Sequence, residues 1–252
     1  MTTNPDTNNR TDDRTTDHTT ARPTPEPTPP VHLYVLLDRS GSMESIRTEV
    51  VAGFNAFLAG QQVNGDDARL TLVQFDDQDV AETIVADAPI RRVQPLKRND
   101  FVPRGSTPLL DATGLLVARA KAHTETTRIR GLEEKVVIVS ITDGEENASR
   151  EFTRASVKAL VKEREAAGWT FVFLSAGLDA YTDAESIGYS AGSVQQWAPD
   201  AGGAGLAFGS LDAAVKRLRG EVRAAAPMSS QEAFAGAKPA EADRRAKRGD
   251  TR

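Results

Sequence analysis

Five oxygen-bearing side chains in three separated segments could share one cation. They are Asp38, Ser40 and Ser42 in the run Asp38-Arg39-Ser40-Gly41-Ser42, Thr107 in Gly105-Ser106-Thr107-Pro108, and Asp143 in Thr142-Asp143-Gly144. Two carboxylates and three hydroxyls are hard donors, with no imidazole or thiolate among them. Such a set suits Mg²⁺, with Mn²⁺ or Ca²⁺ as alternatives, rather than zinc or copper. Mg²⁺ asks for octahedral geometry at about 2.0–2.1 Å and keeps several waters. Two carboxylates balance its charge without filling its shell, so one position stays open to water or to an acidic side chain of a partner. Taken singly, each segment has a blander explanation. Asp38 and Ser40 can shape a turn, Thr107 can cap a helix, and Asp143-Gly144 can reverse the chain.

Their placement along the chain favours a shared site. VHLYVLL, ending at Leu37, is almost continuously apolar, as a strand covered on both faces must be. EKVVIVSITD, from Glu134 to Asp143, is a β-branched buried strand. Ile46, Val50, Phe54, Phe57 and Leu58 recur at helical spacing between Glu44 and Gln61. ARLTLVQFD reads as a strand from Ala68, and the segment through DQDVAETIVAD as its antiparallel edge partner. A helix should open at Pro108 with Thr107 as its cap, another should run from Thr153 to Ala167 and stop at Gly168. WTFVFLSAG is a further strand, SVQQWA a weaker one, and Leu206 to Leu218 the last helix. The expected fold is α/β: a doubly wound, mainly parallel sheet of about six strands with one antiparallel edge strand, and helices on both faces. Ligands of such sheets sit beyond the carboxyl ends of the strands where strand order reverses, which is where the three segments fall.

Composition sets the frame. The 252 residues carry a net charge of -5 and no cysteine, which argues against nucleic acid as the main partner and excludes thiolate chemistry. No apolar run nears the roughly 20 residues that span a bilayer, and the polar N-terminus does not look like a secretory signal, so no membrane association and a cytoplasmic monomer are expected. Residues 1–30 are a Thr/Pro-rich stretch expected to be disordered, 31–220 the folded domain, and 221–252 a disordered basic, Ala-rich tail with at most a transient helix. Alanine and arginine usage suggests a bacterial source.

Asp38, Ser40, Ser42, Thr107 and Asp143 match the metal-ion-dependent adhesion site of von Willebrand factor A domains, found also in integrins. The resemblance covers about three quarters of the chain, Val31 to Gly220, including the STPLLDAT and TDG contexts. It implies that Ser40, Ser42 and Thr107 contact the metal, and that Asp38 and Asp143 contact it directly or through water. More narrowly, the chain resembles small bacterial A-domain proteins, some associated with tellurium-resistance or AAA+ ATPase systems. That likeness implies a protein partner presenting Asp or Glu.

The expected function is therefore a metal-dependent protein-interaction module without catalysis of its own. A Mg²⁺-dependent hydrolase or phosphotransferase fits less well, because the chain has no glycine-rich phosphate loop, no G-x-S-x-G elbow, and serine at position 40 where a D-x-D phosphatase needs its second acid. A scaffold acting through disordered tails is the other alternative. Five basic residues, Arg91, Arg92, Lys97, Arg98 and Arg104, could steer acidic partners toward Thr107. Asp179 and Tyr181 follow a strand and could border the crevice, whereas Trp169 and Trp197 read as core. Glu145 and Glu146 read as acids at a helix start. His18, His32 and His123 are scattered, and none reads as a base or ligand.

Overall fold

The computed structural model describes residues 30–177, 179–225 and 234–248. Six strands form one sheet in the order β3-β2-β1-β4-β5-β6. They are β1 (Val31–Asp38), β2 (Ala68–Phe75), β3 (Glu82–Pro89), β4 (Lys135–Thr142), β5 (Thr170–Ser175) and β6 (Val194–Gln196). All neighbours run parallel except β3, which lies antiparallel along β2 at one edge. The helices are α1 (Arg47–Val63), α2 (Leu109–Ile129), α3 (Arg154–Ala166), α4 (Ala180–Ser186), α5 (Ala201–Arg223) and α6 (Lys238–Arg248). The expected architecture is the observed one.

The period-two alternation of a strand explains the two cores. Val31, Leu33, Val35 and Leu37 of β1 join Val50, Phe54 and Phe57 of α1 and Phe208 and Leu211 of α5 on one face. Tyr34 and Leu36 face the other way, toward Leu116 and Val117 of α2 and Val157 and Val161 of α3. The same alternation holds in β4 and β5, so continuous apolar runs were required of all three central strands. Strand order reverses between β1 and β4, whose register sets Leu37 beside Ile141 and brings Asp38 next to Thr142.

Three features differ from the sequence expectation. Thr107 does not cap α2: Pro108 occupies the cap position without a side-chain bond, and the helix is capped from elsewhere. Helix α5 begins at Ala201, where Asp200 accepts from the Gly203 N–H at 2.8 Å, and it runs to Arg223, past the expected boundary at Gly220. Residues 234–248, assigned to a disordered tail, fold back onto the domain. Phe234 is buried in the α1/α5 core, Arg245 donates to the Trp197 carbonyl at 2.6 Å, and Arg244 pairs with Asp200. One aromatic ring and two guanidiniums anchor a segment whose average composition is that of a tail. The expected disordered stretch at residues 1–30 lies outside the described residues apart from Pro30. Among the described residues no helix is long and apolar enough to cross a membrane.

Helices α1 and α5 approach closely at Gly53, where an added Cβ would stand 2.2 Å from the Phe208 ring. Gly53→Ala should therefore destabilise the protein by about 1–3 kcal/mol in urea unfolding. Gly209→Ala, on an exposed stretch of α5 with open space around it, should instead stabilise by about 0.5–1 kcal/mol. Equal effects at both positions would contradict the close contact.

Candidate metal centre

Asp38 ends β1 and is fully buried. Its Oδ1 accepts the Ser40 backbone N–H at 2.7 Å and its Oδ2 the Thr142 hydroxyl at 2.6 Å, so the strand after the switch point holds the carboxylate of the strand before it. Beyond Ser40 the chain enters a short 3-10 turn, Gly41–Ile46, which brings the Ser42 Oγ to 3.1 Å from the Ser40 Oγ. The Ser42 hydroxyl then donates to Asp143 Oδ1 at 2.7 Å, joining residues 101 positions apart. Thr107 completes the group. A Cβ built on Gly144 would lie 3.4 Å from Ser42 Oγ and 3.5 Å from Thr107 Oγ1, so both hydroxyls flank the glycine that follows Asp143. Ser40 and Thr107 are buried, Asp143 is half-buried and Ser42 is exposed, so the group opens to solvent on the Ser42–Asp143 side. All five sequence-predicted residues meet at one place.

The loops that carry them are stitched together by bonds to backbone. Arg104 N–H donates to the Arg39 carbonyl at 2.8 Å, and Gly41 N–H to the Gly105 carbonyl at 3.0 Å. Gly105 sits at φ +66°, a conformation that residues with a Cβ rarely adopt, and the exposed Asp77 carboxylate lies against it. Thr107 N–H donates to Asn147 Oδ1 at 2.8 Å while Asn147 N–H returns to the Thr107 carbonyl at 3.1 Å. Helix α2 takes its caps from the same loop: Leu110 N–H donates to Glu146 and Asp111 N–H to Ser149 Oγ. This leaves the Thr107 hydroxyl uncommitted to capping. Glu146 is thus a helix-start acid, but for α2 rather than for the segment that contains it. Asp111 closes the arrangement by accepting the backbone N–H groups of Arg150, Glu151 and Phe152 at 2.7, 3.0 and 2.7 Å.

Beneath the loops lies a knot of charge. Buried Asp76 accepts from Arg39 Nε and Arg104 Nε, each at 2.8 Å. Burial opposes ionisation there, but Arg104, the N–H groups of Asp79 and Gln78, and Arg39 outweigh it and hold the carboxyl below its usual range. Asp38 and Asp143 have no such partner: among the described residues no basic side chain forms an ion pair with either. Burial pushes Asp38 up to about 7, against the hydrogen bonds from Thr142 and Ser40, and raises Asp143 as well. Two desolvated carboxylates and three hydroxyls without a countercharge match the needs of a hard divalent cation.

The remaining candidates are dispersed. Arg91 pairs with Asp66, Arg98 lies 3.8 Å from Glu44, and Arg104 is bound to Asp76, so three of the proposed steering charges are engaged within the domain. Gly177 lies against the Asp143 carbonyl, so the strand-end segment starts beside the centre, but the Tyr181 ring lies 5.7 Å from Lys238 Nζ at the α6 side. Trp169 and Trp197 are buried as expected. His32 and His123, scattered in the sequence, come together in space: their rings meet edge to face, 5.0 Å apart, and burial lowers the pKa of His32 despite neighbouring Glu134 and Asp87, while His18 lies outside the described residues. The sequence also did not single out Thr142, Asn147 and Asp111. Their one local signal is position, at the ends of the same strands and helix.

No family model and no curated protein matches the sequence. Solved structures match its fold. The pilus adhesin SpaC from Lactobacillus rhamnosus GG, in an open conformation, superposes with a TM-score of 0.57 at 15% identity, over 75% of this chain and 30% of that one. A von Willebrand factor type A protein from Catenulispora acidiphila does so with a TM-score of 0.53 at 15% identity, over 75% and 43%. The chain spans less than half the length of either. At these identities the likeness is one of fold, and the fold is that of a von Willebrand factor A domain.

Replacing Asp111 by alanine would strand three backbone donors at once. Asp111→Ala should cost about 2–4 kcal/mol and speed hydrogen exchange at residues 150–152. Unchanged exchange there would show that the carboxylate does not hold the loop.

Proposed function

We propose that the chain is a metal-dependent protein-interaction module. Mg²⁺, with Mn²⁺ or Ca²⁺ as substitutes, would be held by Asp38, Ser40, Ser42, Thr107 and Asp143, and would take an acidic side chain of a partner protein in its open position. The observation that carries this reading is the convergence of those side chains from three loops, sealed by the Ser42–Asp143 hydrogen bond. The half-open rim is the second support. Partly exposed Ser42 and Asp143 leave an approach for a carboxylate, while buried Asp38 and Thr107 keep the inner side dry.

The cation supplies attraction for an oxygen anion. The protein supplies its placement: Thr142 and the Ser40 N–H fix the Asp38 carboxylate, and Asn147 fixes the Thr107 backbone. Nothing in this set forms a nucleophile–base pair, since His32 and His123 lie with Glu134 at the start of β4 rather than at its end. That favours binding over catalysis. An adhesin with the same fold is consistent with a binding role, and the small bacterial A-domain resemblance points to a partner from an AAA+ ATPase or tellurium-resistance-type system.

If Mg²⁺ binds only the folded protein, a concentration about 100 times its Kd should stabilise it by about 2.7 kcal/mol. Asp143→Ala should abolish the resulting rise in Tm while leaving the circular dichroism spectrum intact. An equal rise in the variant would place the ion elsewhere. Partner capture from native lysate should need Mg²⁺, fail with chelator, and fail with Asp38→Ala.

A further inference from the structure

A second cluster of metal-binding side chains lies at the other end of the sheet. His32 is the second residue of β1, Glu134 immediately precedes β4, His123 belongs to the C-terminal third of α2, and Asp87 sits in edge strand β3. His32 Nδ1 lies 3.4 Å from Glu134 Oε2 and 3.8 Å from Asp87 Oδ1. His123 Nε2 lies 3.1 Å from the same Glu134 oxygen. One ligand atom from each residue lies within 4.8 Å of every other. Around a tetrahedral zinc ion with bonds of about 2.0–2.1 Å, neighbouring donors stand about 3.3 Å apart, close to these separations.

We propose that His32, Asp87, His123 and Glu134 form a structural site for a divalent transition metal, with zinc as the best match. Two imidazole nitrogens and two carboxylate oxygens suit zinc, whereas the all-oxygen centre at Asp38 suits Mg²⁺. Four protein ligands complete a tetrahedron, the arrangement of a structural rather than a catalytic ion.

The surroundings are built to hold these groups. His32 Nε2 is hydrogen-bonded to Thr71 Oγ1 at 2.9 Å, which orients the ring with Nδ1 toward the cluster. The Tyr34 ring stacks on it, centroids 4.0 Å apart and 22° from parallel. His123 Nε2 is buried yet makes no hydrogen bond, because its close approach to Glu134 is not at a hydrogen-bonding angle. An ion between them would use both groups. The β3 backbone contributes as well. Leu70 pairs with Ala88 but Leu72 with Val85, so Ala86 and Asp87 bulge opposite Thr71, and Asp87 is held at φ 42°. Bulges re-aim side chains, and this one turns Asp87 inward, its N–H bonded to Thr71 Oγ1 at 3.1 Å. Arg69 also donates to Asp87, so the ion would share that carboxylate with a guanidinium. His32 and Glu134 are buried, while Asp87 and His123 have side chains 39% and 26% exposed, which gives an ion a path in.

The test uses the full chain, stripped with chelator and titrated with Zn²⁺ in a calorimeter, with Tm followed in parallel. The expected result is one equivalent bound and a Tm raised by several degrees, with Co²⁺ in place of Zn²⁺ giving the visible absorption of tetrahedral nitrogen–oxygen coordination. His123→Ala and Asp87→Asn should each weaken Zn²⁺ binding by about tenfold or more, and His123→Ala should remove the Co²⁺ bands. Asn tolerates the positive φ of position 87, so this variant still decides the matter if His123→Ala fails to fold. Asp143→Ala should leave Zn²⁺ binding unchanged. Failure of the parent to bind Zn²⁺, as a simple ion-pair cluster would fail, overturns the proposal. So does Zn²⁺ binding that survives Asp87→Asn unaltered, or that disappears in Asp143→Ala.

Discussion

The centre depends on one unfavourable placement: a carboxylate, Asp38, sunk at the end of the central strand with hydroxyl and amide donors but, among the described residues, no basic partner. A buried charge without a countercharge costs several kcal/mol, or else takes up a proton. Everything around Asp38 limits that cost. Thr142 arrives because β4 is in register with β1, and Ser40 because the chain turns immediately after the strand. Neighbouring Asp76 shows the contrast. It is equally inaccessible at a strand end, yet two arginines keep it ionised and make it a structural anchor. Two aspartates, at the ends of adjacent strands, differ in role because one has its cations built in and the other does not.

Much of this was legible in the sequence. β1, β4 and β5 sit between helices on both faces, so they had to be continuously apolar, and an interrupted run would have been incompatible with the fold. Asp38, Ser40, Ser42, Thr107 and Asp143 were recognisable because each follows a strand or precedes a helix at the reversal point. What escaped notice lacked such a pattern. The glycine-rich start of α5 hides a helix, since Gly203 is there to let the helix approach the Ala198 carbonyl rather than for propensity. Helix α6 is anchored by a few long side chains in an otherwise polar segment. The histidine cluster joins residues as far as 102 positions apart through a register and a bulge, neither of which leaves a local trace.

The two ends of the sheet consequently carry different chemistry. At the carboxyl ends of β1 and β4 the donors are oxygens on loops, partly open, and cross-linked mainly by backbone hydrogen bonds. At the amino ends the cluster is mixed nitrogen and oxygen, enclosed by Tyr34 and Thr71 and fed by a helix, two strands and a loop. Helix α2 spans both. Its first turn is capped by the loop that flanks the Asp38–Asp143 group, and its last third contributes His123, so one rigid rod connects the two clusters.

The bulge in β3 and the returning helix α6 have a common effect on how the molecule meets others. An outermost strand with unpaired amides invites a visiting strand to extend the sheet. Here one flank is kinked at Asp87 and ends at Pro89, and the other is a three-residue strand beside which α6 takes up the Trp197 carbonyl. Neither flank offers a straight template for continued growth. Pairing of one copy to another through a straight outer strand is thereby disfavoured on both sides of the sheet.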